Sequence, residues 1–138
     1  MKYLVDVNVL SEGTKTNPNP KVIAWLAAHE RHLYVDPIIL GELRIGIESL
    51  PRGQKRTHLE NWFDALAKSI ECIPWDRDVG ARWATLVAEQ RRKGQNLPLL
   101  DSMIAATALA HDLVLVTRDA SDFRRTGLRV LNPFAEPK

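Results

Sequence analysis

Short aliphatic runs separated by segments of helical periodicity predict an α/β fold, a central and mostly parallel sheet flanked by helices. Two observations carry that expectation. "YLVDV" (3–7) and "LVLVT" (113–117) are continuous apolar or β-branched runs, the pattern of strands buried on both faces. Between the runs, apolar residues recur at three- and four-residue spacing over stretches long enough for the crossovers that parallel strands need. No internal repeat, low-complexity tract or dividing linker interrupts the 138 residues, so one domain over 1–138 is expected.

The elements follow in order. Residues 3–7 read as the first strand, and "SEGTKTNPNP" (11–20) as a polar loop. Asn19 and Pro20 then offer a cap and first turn for a helix carrying Val22, Ile23, Leu26 and Ala27. "LYV" (33–35) reads as a second strand, stopped by Asp36-Pro37. Leu40, Leu43, Ile47 and Leu50 define a helix over 39–50 that holds Glu42 beside its apolar stripe. "PRG" breaks the chain before a helix over 54–68, and "ECIPW" (71–75) reads as a third strand. Asp76 caps a helix that runs to residue 93 and stops at Gly94. Pro98 opens a helix through His111, "LVLVT" is the clearest strand, and "RVLN" (129–132) is the last.

Composition excludes some classes. The hydrophobic fraction is 45% and no apolar run approaches the roughly 18 residues of a membrane span, so no membrane role is expected. "MKYLVDVNVL" reads as a strand rather than a signal peptide, and the single Cys72 suits a reducing cytoplasm as a small buried hydrophobe. A net charge of +2 does not announce nucleic-acid binding by itself. Basic clusters at 52–56, 91–93 and 124–125 become informative only if they ring an acidic centre. His29 and His32 read as surface histidines. Trp25, Trp62, Trp75 and Trp83 read as packing residues rather than base-stacking platforms.

Carboxylates supply that acidic centre. In open parallel sheets, sites form beyond the carboxyl ends of the strands. Asp6 lies near the end of the first strand, and Asp119 lies just past "LVLVT". Asp101 stands in the first turn of the helix that leads into that strand, which returns it to the same end. Glu42, early in the helix after the second strand, reaches that end by the same logic. Two like charges about 4 Å apart repel by about 4 kcal/mol at an effective dielectric near 20, so such a cluster needs protons or cations. Oxygen donors and the lack of Cys/His spacing favour Mg²⁺ or Mn²⁺ over zinc.

At these residues the chain resembles a known family. "LVDVNVLSE", "LGELRIGI", "LPLLDSMIAATALAHDLVLVTRDASDF" and "VLNPF", in that order, look like a PIN domain, and more narrowly like VapC-type toxins of bacterial toxin–antitoxin pairs in the branch that includes FitB. The resemblance implies a Mg²⁺- or Mn²⁺-dependent endoribonuclease with Asp6, Glu42, Asp101 and Asp119 as its acidic quartet. Asp6 and Asp101 would bind the metal most directly, with Asp119 and Glu42 completing the set or acting through water. It further implies that Asn8 and Thr117 support the site, that RNA is the substrate, that the chain forms a homodimer, and that a cognate antitoxin silences it. Arg44, Arg91, Arg92, Arg118 and Arg124 are the candidates for holding the RNA backbone, Arg118 first among them.

Three departures stand out. Val7 replaces a common Thr, and "VDPIIL" lacks the Ser and Thr often found before the Glu-bearing helix. Both Asp119 and Asp122 are present where relatives often have Asn and then Asp; Asp119 is favoured as nearer the strand end. Two rival readings are a receiver-type phospho-acceptor, which would want a pair of early acids and a late Lys that "DVN" and "VLNPF" do not offer, and a partner-binding module with a decayed metal site.

Overall fold

The chain's local capping signals decide where its elements begin. In the computed structural model, which describes residues 1–135, the first strand β1 is Tyr3–Val5 and stops earlier than the apolar run. The Asp6 carboxylate accepts the Val7 N–H at 2.8 Å, and its carbonyl accepts the Val9 and Leu10 N–H groups at 3.1 Å each. Residues expected to extend the strand therefore form a helical turn, α1 (Val7–Leu10), followed by a 3₁₀ turn over Ser11–Thr14. Asn19 caps α2 (Pro20–Ala28) by accepting the Lys21 N–H at 2.9 Å.

β2 (Leu33–Val35) leads into α3 (Pro37–Glu48), which starts two residues before the expected bound. The cause is Asp36, whose carboxylate caps the Ile39 N–H at 2.9 Å, with Pro37 preset for the first turn. After α4 (Gln54–Ser69), β3 shrinks from the expected 71–75 to Glu71–Cys72. Pro74 has no N–H to extend the ladder, and Trp75 turns away to donate its indole N–H to the Met103 carbonyl at 3.2 Å. α5 (Arg77–Arg92) is capped by Asp76, α6 is Leu99–Ala110, and β4 is Val114–Val116. A single turn α7 (Ala120–Phe123) and the short β5 (Val130–Leu131) close the fold.

The five strands form one sheet in the order β3-β2-β1-β4-β5, and every pairing is parallel. "Mostly parallel" is thus wholly parallel. Tyr3 stands opposite Leu33 on one side and Val114 on the other, so β1 is central. The chain builds outward from β1 in both directions. The strand order therefore reverses between β1 and β4, where a crevice opens at the carboxyl edge of such sheets.

Leu4, Val5, Val35, Leu115 and Val116 from the sheet pack against Val9, Val22, Ile39, Leu86, Ile104 and Phe123 from the helices, all essentially without exposure. The small residues Ala105, Ala106 and Ala108 let α6 lie close to its neighbours. The tryptophans pack as expected: Trp25 and Trp62 lie against the core, and the Trp75 and Trp83 rings meet edge-on at 6.0 Å. Two smaller expectations fail. Cys72 is exposed, because β3 is an edge strand paired only to β2, and His29 is half-buried, stacked on Trp25 at 4.2 Å. Among the described residues no helix is long and apolar enough to cross a membrane.

Candidate active site

The carboxyl ends of β1 and β4 are joined by side chains rather than by backbone alone. Asp6 follows β1 and is 7% exposed, and the Thr117 hydroxyl, just past β4, donates to its Oδ2 at 2.8 Å. That hydroxyl has one proton and two lone pairs, and all are used. It accepts from the Asn8 amide at 3.3 Å and from the Asp119 N–H at 3.2 Å. Asn8 in turn donates to Asp119 Oδ2 at 3.2 Å and accepts the Arg118 N–H at 3.0 Å. Asp6, Asn8, Thr117 and Asp119 therefore form one network across the point where the strand order reverses.

Glu42, on α3, and Asp101, in the first turn of α6, stand around this network. Burial pushes the Asp101 carboxyl above the usual range, and the charges of Asp6, Asp119 and Asp122 push it further. Glu42 is raised by burial first and then by Asp6, Asp101 and Asp36. Asp6 is raised by burial despite the bonds from Thr117 and Val7 that favour its ionised form, with Asp119 adding repulsion. Asp6 and Asp101 thus act on Glu42, Asp119 acts on Asp6 and Asp101, and no ion pair among the described residues includes any of the four.

The donor chemistry of this group fits a hard divalent cation: oxygen donors only, excess negative charge and no ion-paired cation among the described residues. As the side chains stand, no three acidic, His or Cys groups among the described residues are gathered closely enough to hold one ion. Asp6 and Asp119 are held by hydrogen bonds, whereas the Glu42 and Asp101 side chains make none among the described residues, which leaves them free to turn inward.

Of the pair left open above, Asp119 carries the bond to Asn8; Asp122, one turn on in α7, adds to the field at Asp101 and borders a separate cavity. Arg118 is exposed beside Asp119, its guanidinium 4.5 Å from the Phe134 ring. Arg91, Arg92 and Arg124 are exposed at the ends of α5 and α7. Arg44 is committed elsewhere: it pairs with Glu48 at 3.1 Å and Asp64 at 3.8 Å, and lies over Phe63.

Sequence reasoning missed Asp36. It is wholly buried, its Oδ1 caps α3 and its Oδ2 accepts the Thr107 hydroxyl of α6 at 2.6 Å. It therefore ties together the two helices that present Glu42 and Asp101. The signal is local, an Asp directly before Pro at the start of a helical period, at the point where the sequence places the stop of the second strand.

A PIN domain profile matches residues 3–128. The chain is 36% identical over 137 residues to VapC ribonuclease Y4jK of Sinorhizobium fredii, covering 95% of this chain and 96% of that protein. It is 33% identical over 138 residues to toxin FitB of Neisseria gonorrhoeae, covering 95% and 97%. Among solved structures, FitAcB from Neisseria gonorrhoeae superposes with a TM-score of 0.87 at 33% identity, covering 97% of this chain and 99% of that one. FitAB bound to an IR36 DNA fragment superposes at 0.92 with 29% identity, covering 99% and 98%. These matches take the place of the receiver-type reading. They run nearly end to end and include the β1 and β4 edges where the acids meet, and the chain belongs to the PIN-domain family.

Proposed function

We propose that residues 1–138 act as a single nuclease domain, the toxin of a toxin–antitoxin pair, hydrolysing RNA phosphodiester bonds in the cytoplasm with Mg²⁺ or Mn²⁺. The observation that carries this reading is the set of Asp6, Glu42, Asp101 and Asp119, presented by four elements around the reversal of strand order and in no ion pair among the described residues. Relatives named VapC ribonuclease and toxin FitB support the activity, and the FitAB and FitAcB structures support a cognate antitoxin.

In this reading Asp6, Asp101 and Asp119 hold the ion, and Glu42 completes the set directly or through water. A bound divalent ion supplies a water of lowered pKa and polarises a phosphoryl oxygen. Thr117 and Asn8 hold Asp6 and Asp119 in fixed rotamers, so the rigid half of the site comes from the strand ends. The swinging half comes from Glu42 and Asp101. Arg118, Arg91, Arg92 and Arg124 meet the RNA backbone, offsetting the repulsion between phosphate and the acidic centre. Arg44 contributes less because it is already paired. The chain works as a homodimer, and its antitoxin packs a segment near the acids.

The test is calorimetric titration of Mn²⁺ into the wild type and Asp101→Asn, with RNA cleavage followed on the same samples. Loss of both binding and cleavage in the variant, with an unchanged fold, is the expected result. Full nuclease activity in Asp101→Asn removes the assignment. No binding and no cleavage in the wild type favours a partner-binding module instead.

A further inference from the structure

Beside the acidic site lies a cavity of about 530 Å³ that the chemistry above does not use. Its floor is Gln90 in the last turn of α5, one wall is the Gly94–Pro98 connection, and the other wall includes Ser121, Asp122 and Arg125. The size lies within the range of small-ligand sites, roughly 300–1,000 Å³. Gly94, at φ 68°, adopts a left-handed conformation that turns the chain back, and the Gln95 N–H closes onto the Gln90 carbonyl at 2.8 Å.

Two amides line this cavity without a side-chain hydrogen bond among the described residues. Gln90 is only 6% exposed, yet its side chain makes no hydrogen bond among the described residues. The Gln95 Oε1 is buried and likewise unpaired. Leaving a buried acceptor unpaired costs about 1–3 kcal/mol, so the Gln95 Oε1, in the same cavity lining as the unpaired Gln90 amide, points to a ligand that satisfies it. An amide offers both donors and an acceptor, the set that reads the edge of a neutral base. Asp122 and Arg125 balance one another in the lining, whereas a bare anion would call for a net positive wall. Gln90 and Leu97 also border an adjoining hollow lined by Trp83 and Leu86, which offers apolar contact for a base face.

We propose that this cavity is a base-reading subsite, in which Gln90 and Gln95 recognise an unpaired nucleotide of the RNA next to the cleaved bond. The inference rests on the ribonuclease reading for its choice of ligand. Its position rests on two shared features. Asp122 borders the cavity and acts electrostatically on Asp101, and Pro98 of its wall immediately precedes the helix whose first turn carries Asp101. A nucleotide seated there leads its backbone to the acids, past the exposed Arg124.

The test uses the side-chain amide resonances of Gln90 and Gln95, with the four nucleoside 5′-monophosphates and inorganic phosphate titrated separately into the metal-free protein. Gln90→Met keeps volume and removes the amide, and Gln95→Ala changes the connection without touching the core. One nucleotide shifting these resonances with an affinity about tenfold above the other three, a ratio that collapses in either variant, is the expected outcome. The same base should be preferred beside the cut in a randomised RNA pool, and the preference should flatten in both variants. Equal shifts by all four nucleotides and by phosphate overturn the subsite, as does an unchanged cleavage preference in variants with native melting curves. Shifts produced by the co-expressed antitoxin and by no nucleotide assign the cavity to that protein and also overturn it. Selective nucleotide binding by a wild type that cuts no RNA upholds the subsite and removes the nuclease reading.

Discussion

Replacing Thr117 by Val keeps the side chain's shape and deletes only its hydroxyl, which is fully buried at the junction of β1 and β4. The lost bond to Asp6 is charge-assisted and worth about 1.5–3 kcal/mol. The bonds from Asn8 and the Asp119 N–H are longer, at 3.3 and 3.2 Å, and add about 0.5 kcal/mol in all, so the variant should lose about 2–3.5 kcal/mol near pH 7. For a chain of this length that lowers the melting temperature by roughly 6–14 °C. The pH dependence identifies the cause. Asp6 already has a raised pKa because burial outweighs the bonds that favour its charge, and losing the Thr117 donor raises it further. A raised folded pKa removes stability as pH climbs through it. The deficit of the variant should therefore be largest above that pKa and shrink as pH falls toward the unfolded carboxylate value of about 3.9. Urea unfolding at a series of pH values reads this directly, and Thr117→Ser, which restores the hydroxyl, should recover most of the loss. A deficit that stays constant with pH would refute the reasoning, since it would trace to packing rather than to the Asp6 charge.

Asp36→Ala should destabilise by about 3 kcal/mol, combining a lost helix cap with a lost buried bond to Thr107, and Asp36→Asn should cost clearly less because it keeps the acceptor for Ile39; denaturant midpoints decide this. Mn²⁺ affinity should fall as pH drops through the raised pKa values of Asp6, Glu42 and Asp101, with protons released on binding near those values; titration in two buffers of different ionisation enthalpy measures the release, and none there contradicts the raised carboxyls. Saturating Mn²⁺ at about 100 times its Kd should stabilise the wild type by about 2.7 kcal/mol and Asp101→Asn by far less, in a thermal melt. Trp83→Phe should cost about 1 kcal/mol through loss of the 2.9 Å indole bond to Ser102, and a wild-type melting curve would show that bond to be idle.

What could be read from the chain, and what could not, divides by the sequence distance over which a residue finds its partner. Parallel topology fixes polarity: a helix feeding a strand begins where that strand ends. Asp101 and Asp119 could therefore be placed at one edge without coordinates. The caps at Asn19 and Asp76 were legible for the same reason, each acting within three residues. The end of β1 was misjudged because the apolar run continues past Asp6, and only the Asp6 cap shows that Val9 and Leu10 face the core from a helix. Strand order stayed hidden, since nothing within residues 3–5 states that both β2 and β4 lie alongside. Asp36 shows the division within one side chain. Its Oδ1 caps a helix three residues away and could have been read, while its Oδ2 meets Thr107 across 71 residues and could not. Gln90 gave no signal at all, because an amide in a helical period is unremarkable until the fold sets it in a cavity with no side-chain hydrogen bond among the described residues. In a domain of this topology the charged chemistry concentrates at strand ends, where sequence grammar reaches it. The residues proposed to read a base are neutral, Gln90 at the end of a helix and Gln95 in the connection after it, and only the folded chain brings them to one cavity.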